Sequence, residues 1–388
     1  MEKCIRATAL AAAMLSLISC SGGTQPQQIA ELPIPGNPSS FSFDIGWVDQ
    51  TGHYYVTDRT NKSLDMFDTT TLATPTLITG GTTPFAGPNS NSDKAGPDGV
   101  IGIPGTSLLY VGDVSSVKVV NSSTKAVTMN IPITPPGSAT PSGFRADEGC
   151  YDPDDKLMMF AHPGDSPPFA TWIDTTTNTI KAQYAFTAAL SGLEQCAYDP
   201  GTKSFYLNND STAANPKGQV DVFLASSVVA GTPAITKSYP LGKCNPTGMA
   251  LGPGNDMLIA CAEDIGDPLT SLILDRTTGK TVATVNLGGA DQVAYDSVSN
   301  RYFMALRYWT NTGVSNLTSA TYLGPPPQYT PILGVVDASS HAIIAMLPAG
   351  KNDHSVAVDG PNHRVFVPHD SGGGASFPSA GISVYSTQ

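Results

Sequence analysis

Hydrophobic and polar residues alternate along most of the chain, in short runs that are separated by turn residues. The clearest example spans residues 354–369, where Ser-Val-Ala-Val alternates, Asp-Gly-Pro-Asn follows, and Arg-Val-Phe-Val-Pro leads to His369. Alternation with a period of two predicts strands, and Gly, Pro, Asn and Asp between them predict tight turns. With the turn at residues 360–363, the pattern predicts a hairpin in which His354 and His369 lie directly opposite each other.

The same hairpin occurs seven times along the chain. In each copy the first residue of the first strand (strand A) and the last residue of the second strand (strand B) are 15 positions apart. A regular internal repeat of this kind predicts a repeat architecture. The seven pairs are Asp44/Arg59, Asp98/Asp113, Asp147/His162, Glu194/Asn209, Pro246/Cys261, Asp291/Leu306 and His354/His369.

A third strand (strand C) follows each hairpin, and a fourth (strand D) follows six of them. The last copy lacks its fourth strand, but residues 29–35 (Ile-Ala-Glu-Leu-Pro-Ile-Pro) resemble the strand D sequence at 344–348. An N-terminal strand that completes the last unit would close a ring and protect the sheet edges. The sequence therefore predicts an all-β, seven-bladed β-propeller of four-stranded antiparallel blades, as a single domain over residues 29–388.

One blade carries a recognisable motif. Tyr54-Tyr55-Val56-Thr57-Asp58, followed by residues 61–68, resembles the YVTN-type propeller repeat, and Tyr110-Val111-Gly112-Asp113 is a weaker copy. The YVTN-like group includes lactonase-like enzymes and many exported proteins. The resemblance therefore implies the propeller fold and leaves the function open, because a fold alone does not fix an activity.

The N-terminal segment reads as an export signal. Lys3 and Arg6 precede a mostly apolar stretch at 9–18, and Leu17-Ile18-Ser19-Cys20 resembles a bacterial lipobox. The resemblance implies a signal peptide at 1–19, lipidation of Cys20 and a polar tether at 20–28. We expect a cell-envelope lipoprotein that faces the periplasm or the exterior, with the outer membrane favoured because Ser21 follows the cysteine. An ordinary secretory signal cleaved nearby is the alternative.

Composition and charge narrow the classes of partner. Only 13% of residues are charged, while 38 glycines and 32 prolines agree with a turn-rich all-β chain. The net charge of −12 argues against nucleic acid, because phosphates would repel it. We expect a monomer that contacts the membrane through its lipid alone and binds an unknown small molecule or envelope protein.

Four cysteines follow the lipobox, and an even number in an exported chain permits disulfides. Cys244 and Cys261 flank the fifth hairpin, and we favour one disulfide there. Cys150 and Cys196 lie in the A strands of adjacent blades, where either a second disulfide or two buried thiols would fit.

Loop lengths identify the face of the propeller that carries function. The A–B and C–D links are short, whereas the B–C and D–A links are long, above all the aromatic and proline-rich stretch 307–331. The B–C and D–A links of a propeller emerge on one face, which we call the loop-bearing face. Extended loops on a rigid scaffold are where binding usually resides.

Carboxylates are concentrated on that face. Five of the seven strand A starts are acidic and would converge on the mouth of the central channel. Asp44 faces Arg59 in a structural ion pair. Carboxylates would suit a bound calcium ion, and added histidines would suit zinc. The candidate metal ligands are Asp98, Asp113, Asp147, His162, His354 and His369.

Three readings of this mouth remain open. A bound metal ion could polarise a lactone or ester carbonyl, with Glu148, Glu194 or Asp291 as the general base. The same carboxylates could act on a substrate without metal, or serve as structural groups that line a wet channel. We therefore expect a propeller that binds a small ligand, cation or protein partner on its loop-bearing face. The alternatives are a metal-dependent, lactonase-like hydrolase and an assembly scaffold.

Overall fold

The computed structural model describes residues 25–49, 51–262, 266–315, 321–322, 328–373 and 375–388. Their strands form seven four-stranded antiparallel sheets, and the A strands of consecutive sheets contact each other around a closed ring. The predicted fold, an all-β seven-bladed propeller, is confirmed. Among the described residues, no helix is long and apolar enough to cross a membrane.

The blades follow one another along the chain, with strand A innermost. Strands A to D are Phe43–Val48, His53–Asp58, Ser63–Asp68 and Thr76–Ile78 in blade 1; Val100–Gly102, Leu108–Asp113, Ser116–Asn121 and Ala126–Pro132 in blade 2; Gly149–Asp152, Leu157–His162, Phe169–Asp174 and Thr179–Ala185 in blade 3; and Leu193–Asp199, Ser204–Asn209, Gln219–Leu224 and Ile235–Pro240 in blade 4. They are Pro246–Leu251, Asp256–Cys261, Ser271–Asp275 and Lys280–Val285 in blade 5; Val293–Asp296, Arg301–Leu306, Ile332–Asp337 and Ile343–Pro348 in blade 6; and Ala357–Asp359, Arg364–His369, Gly381–Ser386 and Gln28–Pro33 in blade 7.

The N-terminal strand closes the ring, as the sequence predicts. Gln28–Pro33 pairs antiparallel with Gly381–Ser386 as the outermost strand of blade 7. It begins at Gln28, the last residue of the predicted tether, and ends at Pro33. The predicted signal peptide and Cys20 lie outside the described residues, so the lipid anchor stays a prediction.

Two short helices and a pair of short strands lie in the links between the blade strands. A 3-10 helix, Ser92–Lys94, lies between blades 1 and 2, and an α-helix, Ala225–Val229, connects strands C and D of blade 4. Two short parallel strands, Thr321–Tyr322 and Gln328–Tyr329, lie in the long link of blade 6.

The predicted register holds in five hairpins and is wrong in two. In blade 3, for example, Gly149 pairs with Phe160, which is the register that sets Asp147 against His162. β-Bulges shift the pairing in blades 1, 4 and 5, although Pro246 and Cys261 of blade 5 keep their predicted pairing. Ser42, not Asp44, therefore lies opposite Arg59, and Leu193, not Glu194, lies opposite Asn209. A bulge adds one residue to a strand, and alternation alone does not reveal it.

Apolar side chains fill the spaces between blades. The buried residues form seven clusters, and each cluster combines residues of two consecutive blades. The cluster that joins blade 7 to blade 1 includes Tyr54 and Phe366, whose rings stack with centroids 4.6 Å apart. Each blade therefore depends on both neighbours for burial, which favours a ring over isolated blades.

The A strands approach each other so closely that some positions admit only glycine. A Cβ atom on Gly99 of blade 2 would lie 2.0 Å from the carbonyl oxygen of Asp147 in blade 3. One on Gly248 of blade 5 would lie 2.3 Å from the carbonyl oxygen of Asp291 in blade 6. Both contacts involve backbone of acidic residues at the channel mouth, so these glycines let the acidic positions pack together.

We expect Gly99→Ala to destabilise the fold, because the new methyl group would force the A strands of blades 2 and 3 apart. Overpacking of this kind costs about 1–3 kcal/mol. Gly143→Ala is the matched control, since a Cβ there meets nothing within 4 Å. Chemical denaturation should show a lower free energy of unfolding for Gly99→Ala alone. Equal stability of the two variants would contradict the close approach.

Candidate functional site

The acidic residues of blades 2, 3 and 6 share one backbone arrangement. Each lies just before strand A, and its N–H donates to a carbonyl oxygen of strand B. The same hydrogen bond therefore sets the three side chains at a similar height in the channel mouth. The bonds are Asp98 to Gly112 at 2.9 Å, Asp147 to Ala161 at 2.9 Å and Asp291 to Ala305 at 3.2 Å.

Two arginines bind the carboxylates on one side of the mouth. Arg59 lies between Asp44 and Asp98, with Nη2 2.8 Å from Asp44 Oδ2 and Nε 2.9 Å from Asp98 Oδ1. The predicted Asp44–Arg59 ion pair is therefore present, although the register is shifted. Arg145 Nη2 lies 2.9 Å from Asp147 Oδ2, and its Nη1 lies 3.5 Å from Asp44 Oδ2. Burial by itself would raise the pKa of Asp44, but Arg59, His354 and Arg145 hold it below its usual value.

Arg145 is a site residue that the sequence analysis misses. It lies in the link that leads to blade 3, where its N–H donates to the Asp93 carbonyl oxygen at 2.8 Å. It forms an isolated β-bridge with Val114. These backbone bonds place the Arg145 guanidinium at the channel mouth, although Arg145 itself lies outside the named strands. Its position two residues before Asp147 is the signal that could have found it.

Three carboxylates meet across the channel and form what we call the acidic trio: Glu148, Glu194 and Asp291. Their oxygen atoms lie within 4.8 Å of one another, although they come from blades 3, 4 and 6. The sequence names all three as candidate bases, and the structure brings them together. Arg307 Nη2 lies 2.9 Å from Asp291 Oδ2. Among the described residues, no group donates a hydrogen bond to the side chains of Glu148 or Glu194.

Asp210 extends the acidic trio and is also missed by the sequence analysis. It follows Asn209 at the end of strand B in blade 4, and its Oδ1 is buried without a hydrogen-bond partner among the described residues. Burial, followed by repulsion from Asp291 and Asp147, raises the pKa of Asp210 to about 7. Asp210 directly follows Asn209, the last residue of a predicted strand B, and this position is the signal that could have identified it.

The carboxylates of the acidic trio and Asp210 repel one another, and this repulsion disfavours their ionised forms. Burial and the neighbouring carboxylates Asp147 and Asp291 raise the pKa of Glu148 well above its usual value. Burial and then Asp210 do the same for Glu194. Glu148 is only 4% exposed. Repelling carboxylates in such a place must take up protons or bind a positive charge.

The two opposed histidines contact different carboxylates. His354 stacks on Phe43 with centroids 4.4 Å apart, and its Nε2 lies 3.4 Å from Asp44 Oδ1 in blade 1. His369 Nε2 lies 2.6 Å from Glu31 Oε1 in the closing strand of its own blade. Each ring therefore contacts a carboxylate of a different strand, and metal binding by this histidine pair stays a prediction.

The other predicted metal ligands are also engaged separately. His162 stacks on Phe169 with centroids 4.2 Å apart, and burial lowers its pKa to about 3. Asp98 binds Arg59, Asp147 binds Arg145, and Asp113 binds Lys118. Metal binding by these residues stays a prediction. Within the described residues, the group of three or more with metal-ligand spacing is the acidic trio.

Two disulfides are present where the sequence analysis favoured one. Cys244 bonds to Cys261 in blade 5, and Cys150 bonds to Cys196 between blades 3 and 4. Cys150 and Cys196 follow Glu148 and Glu194 by two residues each. The second disulfide therefore lies two residues from each of the glutamates that accept no hydrogen bond from the described residues. The expectation of a single disulfide is wrong because sequence does not show how near neighbouring A strands come.

Comparisons with known proteins identify the fold and no family. No family model and no curated protein sequence matches the chain. Its fold matches 1294 solved chains. One of them, from the crystal structure of the mitotic checkpoint complex, has a TM-score of 0.64 at 12% identity, covering 99% of this chain and 99% of that chain. At that identity the likeness shows the propeller fold alone, so function must be argued from the site.

We expect the folded protein to lose stability as the pH rises through the range of about 4 to 7. Burial raises the pKa of Asp147 and Asp210 to about 7 in the folded state, from the usual 3.8. In this window the folded state holds more protons than the unfolded state, so raising the pH favours unfolding.

Chemical denaturation at pH 5.5 and 7.5 checks this expectation. Asp210→Asn should flatten the pH dependence and raise the stability at pH 7.5. Asp155→Asn, at an exposed position in the A–B turn of blade 3, is the matched control and should change neither quantity. Greater stability of the wild type at pH 7.5 than at pH 5.5 would contradict the account.

Proposed function

We propose that this chain is a lipid-anchored, extracytoplasmic propeller that binds a small, positively charged ligand or cation at its channel mouth. A propeller fold fits a role in binding a ligand or a protein. The observation that carries the proposal is the acidic trio, in which Glu148 and Glu194 have no hydrogen-bonding partner among the described residues. A cation would supply the charge that this part of the protein lacks.

The distribution of arginines supports a cation site on one side of the mouth. Asp44, Asp98 and Asp147 face two arginines, so their charges are largely compensated. The acidic trio and Asp210 contribute four carboxylates, and Arg307 is the arginine that binds them, at Asp291. Within the described residues, the carboxylates of this group of four that no arginine binds are therefore Glu148, Glu194 and Asp210. Low-dielectric walls strengthen the attraction of such a group for a cation.

The cellular location rests on the sequence together with the disulfides. The lipobox-like Leu17-Ile18-Ser19-Cys20 and the YVTN-like motif in strand B of blade 1 favour an exported bacterial lipoprotein. Two disulfides agree with an oxidising compartment outside the cytoplasm. The tether would then hold the propeller near the outer membrane, where small ligands reach its loop-bearing face.

A metal-dependent, lactonase-like hydrolase is the second candidate. The trio's oxygens lie within 4.8 Å of one another, a spacing that one divalent ion can bridge. Calcium–oxygen distances are about 2.3–2.6 Å. Glu148, Glu194 and Asp291 would then serve as ligands rather than as bases, and the ion would polarise an ester or lactone carbonyl.

Cation binding is tested by thermal denaturation at constant ionic strength with Mg²⁺, Ca²⁺, Zn²⁺ or methylammonium. We expect at least one of them to stabilise the wild type, by about 2.7 kcal/mol at one hundred times its Kd. Glu148→Gln/Glu194→Gln should abolish that shift, because it removes two negative charges at nearly constant volume. It should also unfold at a higher temperature than the wild type when no cation is added.

Asp154→Asn/Asp155→Asn, in the A–B turn on the opposite face, is the matched control and should keep the shift. A panel in which no cation stabilises the wild type more than the glutamine variant would overturn the proposal. If a metal ion binds, the same samples are assayed with lactones and aryl esters. Hydrolysis that disappears in Glu148→Gln/Glu194→Gln would favour the hydrolase, and metal binding without hydrolysis would favour the binding protein.

The lipid anchor is tested by fractionating cells that produce Cys20→Ser. The substitution removes the sulfur to which lipid would be attached, so we expect the protein to move from the membrane fraction to the soluble fraction. Cys4→Ser, in the same predicted signal segment, is the matched control and should stay with the membranes. Membrane association of Cys20→Ser equal to that of the wild type would refute the lipid anchor.

A further inference from the structure

A groove lies beside the acidic trio on the loop-bearing face. Its walls are the B–C link of blade 3 and the link between blades 3 and 4, and its volume is about 420 Å³. Pro163, Pro168 and Leu190 give it an apolar lining, and Asp165 adds a carboxylate. Leu190 is 67% exposed, which leaves its side chain available to a ligand.

Gly192 lies between the groove and two of the carboxylates, Asp210 and Glu194. A Cβ atom at this position would lie 3.2 Å from Asp210 Oδ2, 3.5 Å from Pro163 Cβ and 3.8 Å from Glu194 Oε1. Gly192 also lines the groove. The groove is therefore adjacent to Asp210 and Glu194.

Backbone hydrogen bonds hold the groove in shape. Phe186 N–H donates to the Pro168 carbonyl oxygen at 2.9 Å, which ties one wall to the other. Leu190 N–H donates to the Ser211 carbonyl oxygen at 2.9 Å, and Asp210 N–H donates to that of Gly192 at 3.2 Å. The groove and Asp210 therefore belong to one preformed structure, which lowers the entropy cost of binding.

We propose that the groove and the acidic trio form a single site for a small organic amine. Its ammonium group binds Glu148, Glu194 and Asp210, and its apolar body lies along Pro163 and Leu190. This inference rests on the proposed function and specifies its ligand. An alkyl or arylalkyl ammonium compound is the chemical class that matches both halves of the site.

The donors and acceptors match in number. A primary ammonium group has three N–H donors and no acceptor, and three carboxylates of the site can accept them. Glu148 is 4% exposed and accepts no hydrogen bond from the described residues, and Asp210 Oδ1 is buried without a partner there. These buried oxygen atoms are the groups that an ammonium would satisfy, at about 2.7–2.9 Å.

Charge and shape favour an ammonium ion over a bare divalent metal. Arg307 Nη2 lies 2.9 Å from Asp291 Oδ2, so a dication in the trio would face a guanidinium, with twice the repulsion that a monocation meets. A bare metal ion also has no use for an apolar groove. Contact of a ligand's hydrocarbon with Leu190 should add affinity, by about fourfold for each CH₂ that is fully buried.

Calorimetric titration of the full-length protein in mild detergent tests the inference, with detergent alone as the blank. The probes are methylammonium, phenethylamine and its neutral analogue 2-phenylethanol. We expect phenethylamine to bind at least about tenfold more tightly than methylammonium, because its body fills the groove. The alcohol should bind at least about tenfold more weakly than phenethylamine, because it lacks the charge.

Leu190→Ser should weaken the binding of phenethylamine by about threefold or more, because it removes apolar contact in the groove. The affinity for methylammonium should stay unchanged, because methylammonium does not occupy the groove. Val298→Ser is the matched control. Val298 is 55% exposed in the A–B turn of blade 6, on the opposite face, and its substitution should change neither affinity.

The outcomes separate this inference from the proposed function. Equal binding of phenethylamine and methylammonium, unaffected by Leu190→Ser, would overturn the groove inference and leave the cation site standing. Binding of 2-phenylethanol as tight as that of phenethylamine would overturn it as well, because the groove would then act without the carboxylates. Failure of every amine and metal ion to bind would overturn both proposals.

Discussion

Closure of the ring is the constraint on which the rest of this structure depends. When Gln28–Pro33 pairs with Gly381–Ser386, the seven A strands must share one narrow channel, and glycines such as Gly99 let their backbones touch. The acidic residues at the strand starts are carried inward with them. Carboxylates of blades 3, 4 and 6 consequently lie within 4.8 Å of one another across the channel. The chemistry of the mouth is thus a consequence of the architecture.

The protein holds this unfavourable arrangement by covalent and electrostatic means. The Cys150–Cys196 disulfide joins strand A of blade 3, which begins directly after Glu148, to strand A of blade 4, which contains Glu194. Their repulsion therefore cannot separate blades 3 and 4 there. Arg59 and Arg145 compensate the carboxylates on the other side of the mouth. The remaining repulsion reduces the stability of the protein, and the proposed cation would relieve it. Sites that are strained in the absence of their ligand are a common form of preorganisation.

The sequence predicts the fold well because the signals of strands and turns are local. Alternation and turn residues gave the seven hairpins and the closing strand. The site is less predictable because its contacts are distant in sequence. His369 binds Glu31, 338 positions away, a contact that the sequence of its own hairpin does not reveal. Arg145 reaches the mouth from a link without strand pattern, and the bulges of blades 1 and 4 shift the partners of Arg59 and Asn209. The sequence predicts that acidic residues at the strand A starts converge on the channel mouth. Which of these residues meet depends on the width of the channel.

A crystal structure of the protein with 4-bromophenethylamine would test the central claim most directly. The anomalous signal of bromine locates the apolar end of the ligand independently of the density for its ammonium group. The account predicts the ammonium nitrogen within about 3 Å of carboxylate oxygens of Glu148 and Glu194, and the bromine in the groove beside Leu190. Density for the amine elsewhere on the protein, with the acidic trio holding only water, would contradict it.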